Sequence, residues 1–278
     1  MKKLNSILDI IDRYDNFILD QWGVMHNGYK GYKHAIDAVD YLEKKNKNLF
    51  IISNSSKRKK LSEDKLRILG FNKNSFINVL TSGEMIWETM HKKYFDFLDK
   101  KKCFHIYDTT KEDGLHFREG LNLTFTEKIE DAELILACTP FFNMSPIDYA
   151  PLFDKAIDNK LTMYCANPDF ETVDKNNSKN IFCMGAIAEI YKKMGGNVII
   201  KGKPDISIYD KSIDLFELDK IRTIAVGDSL FHDISGANNF CIDSVLVKSG
   251  IHKDLITIDK LIQNHQIKPS FIIDKFCI

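Results

Sequence analysis

The chain has 278 residues, 44% hydrophobic and 28% charged, with six prolines and fourteen glycines, which describes an ordinary globular protein and excludes a low-complexity one. Lys plus Arg and Asp plus Glu each total 39, so the formal charge is zero and lacks the basic surplus that draws proteins to nucleic acid or an acidic membrane. The six cysteines are scattered without a CxxC pair, which argues against a zinc cluster or a disulfide framework.

In chain order, the opening Met-Lys-Lys is followed by Asp9, Asp12, Arg13 and Asp15, which interrupt the apolar stretch a signal peptide needs. No run reaches membrane-spanning length, so the expected location is the cytoplasm. A short apolar run, Phe17 to Leu19, ends at Asp20. The spacing of Ile36, Val39 and Leu42 predicts a helix, with lysines in its last turn where they suit the helix dipole. Leu49 to Ile52 then ends at Ser53 and Asn54, completing a βαβ unit. Ser62 is the expected cap of a helix with Leu66 and Leu69 on its inner face, stopping at Gly70.

From about residue 81 to 199 the chain has strand-like runs of its own at Phe104 to Tyr107, Leu134 to Ala137 and Leu161 to Tyr164, enough for a separate domain. Val198 to Ile200 leads into Lys201-Gly-Lys-Pro204, and Pro204 suits the first turn of a helix running toward Leu215. Ile221 to Val226 ends at Gly227 and Asp228, and Ser244 to Val247 reads as a further strand. Short buried strands ending in polar residues predict an α/β fold, a doubly wound parallel sheet with its functional groups at the carboxyl ends of the strands. The expected division is a core of residues 1–80 and 200–278 with an inserted domain at 81–199.

Four segments carry the chemistry: Phe17-Ile-Leu-Asp20-Gln-Trp-Gly23, Phe50-Ile-Ile-Ser53-Asn-Ser55, Lys201-Gly-Lys203-Pro204 and Val226-Gly-Asp228-Ser-Leu-Phe-His-Asp233. In order and separation they resemble the four motifs of the haloacid dehalogenase-like hydrolases of subclass IIA, the group similar to nitrophenyl phosphatases. The resemblance implies a Rossmann-like core with an α/β cap domain inserted between the second and third motifs. It also implies a magnesium-dependent phosphatase acting on a small phosphorylated metabolite.

The residue types fit that chemistry. A carboxylate at a strand end beside a cation stays ionised and can attack phosphorus, which makes Asp20 the expected nucleophile. Charge building on the transferring oxygens calls for a hydroxyl donor and a fixed cation, roles that suit Ser53 and Lys203. Asp228 and Asp233 place two carboxylates on one loop and helix start, suitable for Mg²⁺ beside Asp20. By the resemblance, Asp20 and Asp228 are direct ligands, the main-chain carbonyl of Trp22 is another, and Asp233 binds directly or through water. Asn54 belongs to the second motif, and Asn167-Pro168-Asp169 matches a cap loop that faces the core in the family; Asn54, Asn167 and Asp169 are therefore candidate substrate contacts.

One position departs from the pattern. Family phosphatases usually carry a second aspartate two residues after the nucleophile, as general acid and base; this chain has Trp22, whose indole cannot shuttle a proton. Three explanations remain open: a leaving group that needs little protonation, a substitute acid, for which His26 is the nearest titratable candidate, or a site that binds phosphate and turns it over slowly. The rival functions are accordingly a phosphate-ligand binding or regulatory protein and a phosphotransferase or mutase. The assembly state is left open, a homo-oligomer included.

Overall fold

Strands form where the apolar runs are short and flanked by turn residues, and the computed structural model describes residues 1–110, 113–142, 144–171, 182–214, 216–251 and 255–278. The strands in chain order are β1 (Lys2–Leu4), β2 (Asn16–Leu19), β3 (Asn48–Ser53), β4 (Asn78–Thr81), β5 (Lys101–Ile106), β6 (Leu123–Thr126), β7 (Leu134–Ala137), β8 (Thr162–Cys165), β9 (Asn197–Ile200), β10 (Thr223–Gly227), β11 (Asp243–Val247) and β12 (Phe271–Ile273). They make two sheets.

The first sheet has the order β1-β12-β11-β10-β2-β3-β4. It belongs to a compact unit formed by residues 1–53, 62–80 and 203–278. Its central pairings are parallel: Leu19 of β2 lies opposite Val226 of β10 on one side and Ile51 of β3 on the other. That register brings the carboxyl ends of β10, β2 and β3 side by side. Phe17, Leu19, Leu49, Ile51, Val226 and Val245 are buried against helix α1 (Lys33–Lys44), whose Ala35, Ala38, Val39 and Leu42 face them. Each such side chain contributes about 1.5–3 kcal/mol on burial, so the sheet centre is rigid and the residues that follow it are held in place.

The second unit comprises residues 54–61 and 81–202. Its parallel sheet has the order β6-β5-β7-β8-β9. Buried side chains such as Ile106, Ile135, Phe153, Met163, Ile187 and Tyr191 fill one side and Ile86, Met90, Phe117 and Tyr164 the other. The segment 54–61 is stitched to helix α3 (Ser82–Tyr94) within this unit: Arg58 forms a two-point pair with Glu84 (2.7 and 3.1 Å), and the Gly83 amide donates to the Ser55 carbonyl.

Several elements differ from expectation in detail. Helix α2 (Lys59–Ile68) begins three residues before Ser62, so Ser62 is not its cap. The Ser62 hydroxyl is buried inside and bonded to Gln21 (2.8 Å), a tertiary use of a residue that would also cap well. The helix after Pro204 is Ser207–Asp214, and Pro204 lies in the turn before it. Leu215, its expected end, lies outside the described residues. The short β1, β4, β6 and β12 went unseen because three or four residues carry too little periodicity to separate strand from loop. Among the described residues no helix is long and apolar enough to cross a membrane.

Candidate active site

Asp20 follows β2 directly and Asp228 follows β10, two neighbouring parallel strands, so both side chains emerge at the same end of the sheet. Ser53 closes β3 beside them and is buried. Asp233 sits in a wide turn, Leu230–Ile234, where its Oδ2 accepts the Ser229 amide (3.0 Å). Lys203 is fully enclosed, and its Nζ donates to Asp20 Oδ1 and to Asp233 Oδ1, each at 2.6 Å. Asp20, Lys203, Asp228 and Asp233 thus form one buried cluster in the first unit.

The electrostatics follow from that enclosure. Burial alone would lower the Lys203 pKa, but the Asp20 and Asp233 carboxylates outweigh it and hold the ammonium well above its ordinary value. Burial, followed by the charges of Asp20 and Asp233, pushes the Asp228 carboxyl well above the usual carboxylate range; the Ile251 amide, donating to its Oδ2 at 2.9 Å, works against this. Three carboxylates face one ammonium. One ligand oxygen from each of Asp20, Asp228 and Asp233 lies within 4.8 Å of the others, an all-oxygen donor set of the kind a hard divalent cation takes.

The loop after Asp20 is closed by the Gly23 amide donating to the His26 carbonyl (2.9 Å) and by the Met25 and His26 amides donating to the Gln21 carbonyl. Trp22 is half-buried, and its ring lies over Gly28, where a Cβ would come within 2.2 Å of the indole; φ there is +89°. Glycine meets both demands. The His26 ring meets Trp22 edge-on at 5.1 Å, is buried, and accepts the Gly28 amide on Nδ1 (3.0 Å). The remaining predicted contacts lie in the second unit, where Asn54 Nδ2 donates to Asp169 Oδ1 (2.7 Å) and the Asn167 carboxamide accepts the Asp169 amide (2.9 Å).

Sequence reasoning missed the segment Ser249 to Ile251. A Cβ on Gly250 would lie 1.7 Å from Asp228 Oδ2 and one on Gly23 2.0 Å from the same atom, so two glycine backbones flank the carboxylate. Ser249 Oγ donates to the Gly23 carbonyl (2.9 Å). The available signal was a Ser-Gly pair just past a buried strand, the same position that marked Asp20 and Asp228.

Known proteins are similar to this chain in sequence and in fold. The profile described as haloacid dehalogenase-like hydrolase matches residues 17–116, and a related one described as HAD-hydrolase-like matches residues 200–277. The chain belongs to the haloacid dehalogenase-like hydrolases. Within them it falls in subclass IIA, the nitrophenylphosphatase-like group. A haloacid dehalogenase-like hydrolase from Brucella suis superposes with a TM-score of 0.83 at 25% identity, over 98% of this chain and 99% of that one. A 4-nitrophenylphosphatase of Schizosaccharomyces pombe is 25% identical over 93% of each chain, and the 5'-nucleotidase YutF of Bacillus subtilis 24% identical over 86% of this chain and 89% of that one.

Proposed function

We propose that the protein is a magnesium-dependent phosphatase that cleaves a small phosphorylated metabolite through an aspartyl phosphate on Asp20. The observation that carries this reading is the Lys203 ammonium held between Asp20 and Asp233 beside a third buried carboxylate, Asp228. The Lys203 bond orients Asp20 and sets a fixed positive charge beside its carboxylate. An Asp20 oxygen attacks phosphorus, the ester oxygen departs with the bonding pair, and water then attacks the acyl phosphate to release inorganic phosphate and restore the carboxylate. Ser53 donates a hydrogen bond to the transferring phosphoryl group and Lys203 offsets its charge. The expected substrate contacts Asn54, Asn167 and Asp169 lie together in the second unit.

The donor set fits Mg²⁺, with Asp20, Asp228, Asp233 and the Trp22 main-chain carbonyl as the oxygens that would hold it. Bound there, the cation would neutralise charge on the phosphoryl oxygens. The relatives named for nitrophenyl phosphate and nucleotides support a phosphomonoester as substrate. Screening phosphorylated metabolites for phosphate release, with Mg²⁺ and with chelator, tests the reading. Asp20→Asn is expected to lower turnover by about a thousandfold or more with an unchanged circular dichroism spectrum. Undiminished turnover by the folded variant would remove Asp20 as nucleophile.

A further inference from the structure

A cation site is only as good as the fixation of its ligands, and Asp228 differs from its two partners in how it is held. Asp20 and Asp233 are each tied to Lys203 at 2.6 Å. Asp233 Oδ2 also accepts a backbone amide, that of Ser229, but Asp228 Oδ2 is enclosed by backbone from two separate segments: it accepts the Ile251 amide at 2.9 Å, with Gly250 and Gly23 pressed against the same oxygen. A Cβ on Gly23 would lie 2.9 Å from the Gly250 Cα, so the two segments nearly touch across the carboxylate. Ser249 joins them, its hydroxyl donating to the Gly23 carbonyl at 2.9 Å.

We propose that Ser249 is a positioning residue for the divalent cation: by fastening the 249–251 segment to the loop that follows Asp20, it holds Asp228 in one ligand orientation. The proposal rests on the metal-dependent reading above. With Oδ2 enclosed by backbone, Oδ1 is the Asp228 oxygen that would hold a cation. Losing the Ser249 bond lets the two walls part, and the carboxylate then has to be ordered at the moment of binding. Groups that orient a metal ligand without touching the metal are typically worth about 10–100-fold in affinity. A solvent-facing serine at a turn would carry no such effect.

The test measures cation binding directly. Mn²⁺, which shares the oxygen preference of Mg²⁺, is titrated into the full chain and the free ion read by electron paramagnetic resonance. Ser249→Ala and Ser249→Val are expected to weaken Mn²⁺ binding about tenfold, at the low end of that range. Ser249→Thr, equal in shape to valine but bearing the hydroxyl, should bind within about twofold of the native chain, since the hydrogen bond is retained. Thermal midpoints in chelator identify any variant that fails to fold, and the valine and threonine pair decides the matter if alanine does not. Native-like Mn²⁺ affinity in folded Ser249→Ala or Ser249→Val overturns the proposal, as does a threonine variant as weak as the valine one. A native chain that binds no Mn²⁺ overturns the metal reading itself, and this inference with it.

Discussion

Each unit buries a polar cluster at the carboxyl ends of parallel strands, and the two are built in opposite ways. In the second unit His105 of β5 and Cys138, just past β7, meet at 3.3 Å, while Arg118 Nε donates to His105 Nδ1 at 3.1 Å. Nδ1 is therefore the acceptor and Nε2 carries the proton toward sulfur. Burial, with the Arg118 charge, pushes the His105 pKa down to about 3, and burial drives the Cys138 thiol well above its ordinary value. Both groups stay neutral, and Arg118 lies over the Phe125 and Tyr107 rings. In the first unit three carboxylates share one lysine. Polar residues at strand ends do not by themselves mark a site. What separates the two clusters is the sign and crowding of the charge: three buried carboxylates exceed one ammonium, an excess that a divalent cation can offset.

The largest expected effect breaks that imbalance. We predict that Asp228→Asn, which can still accept the Ile251 amide, lowers Mg²⁺-dependent turnover by about a thousandfold, because cation binding supplies several kcal/mol of transition-state stabilisation. In chelator the same variant should be more stable than the native chain by about 1–3 kcal/mol, since one of three crowded buried charges is gone. Metal-dependent assays and thermal melts measure the two arms. A variant that is less stable in chelator would contradict the account of charge crowding.

A second test adds a proton donor to the site. We predict that the native chain cleaves aryl and acyl phosphates much faster than alkyl phosphates, because low-pKa leaving groups depart without an acid. Trp22→Asp should then speed alkyl phosphate hydrolysis by about a hundredfold, the low end of what general acid catalysis supplies, and change aryl substrates little. The packing of Trp22 over Gly28 means the substitution removes a ring rather than adding bulk. Rates plotted against leaving-group pKa give the answer: a flat plot for the native chain would contradict the prediction.

The smallest effect concerns the second-unit cluster. A folded-state pKa near 3 keeps His105 neutral, whereas in the unfolded chain it gains a proton near its ordinary 6.5. Its contribution to stability is therefore complete above about 6.5 and declines as pH falls toward 3, by about 1.4 kcal/mol per unit once below 6.5. His105→Gln should be less stable at pH 7.5, having lost the ring packing against Tyr107 at 4.5 Å, and should lose less stability between pH 7 and 5. Parallel melting curves for the two chains over that interval would contradict the assignment.

Local sequence alone determined the fold class and the polar positions at the strand ends. An apolar run that stops at a carboxylate reads as a buried parallel strand because four or five contiguous residues contain the whole signal. Asp20, Ser53 and Asp228 were legible in that way, and Lys203 and Asp233 through the motifs around them. Which of these residues meet was not legible, since the Asp20 and Lys203 bond spans 183 positions and exists only because β2 and the return segment pack into one unit. The tertiary structure likewise committed Ser62 to Gln21 rather than to a helix cap, and His26 to the Gly28 amide within a buried loop. It also joined residues 54–61 to the second unit through Glu84 and Gly83. A serine can cap or cross-link, and a histidine can titrate or brace a loop, with the same local sequence. The choice rests on which distant backbone groups need a partner once water is excluded, and that is settled only when the chain has packed.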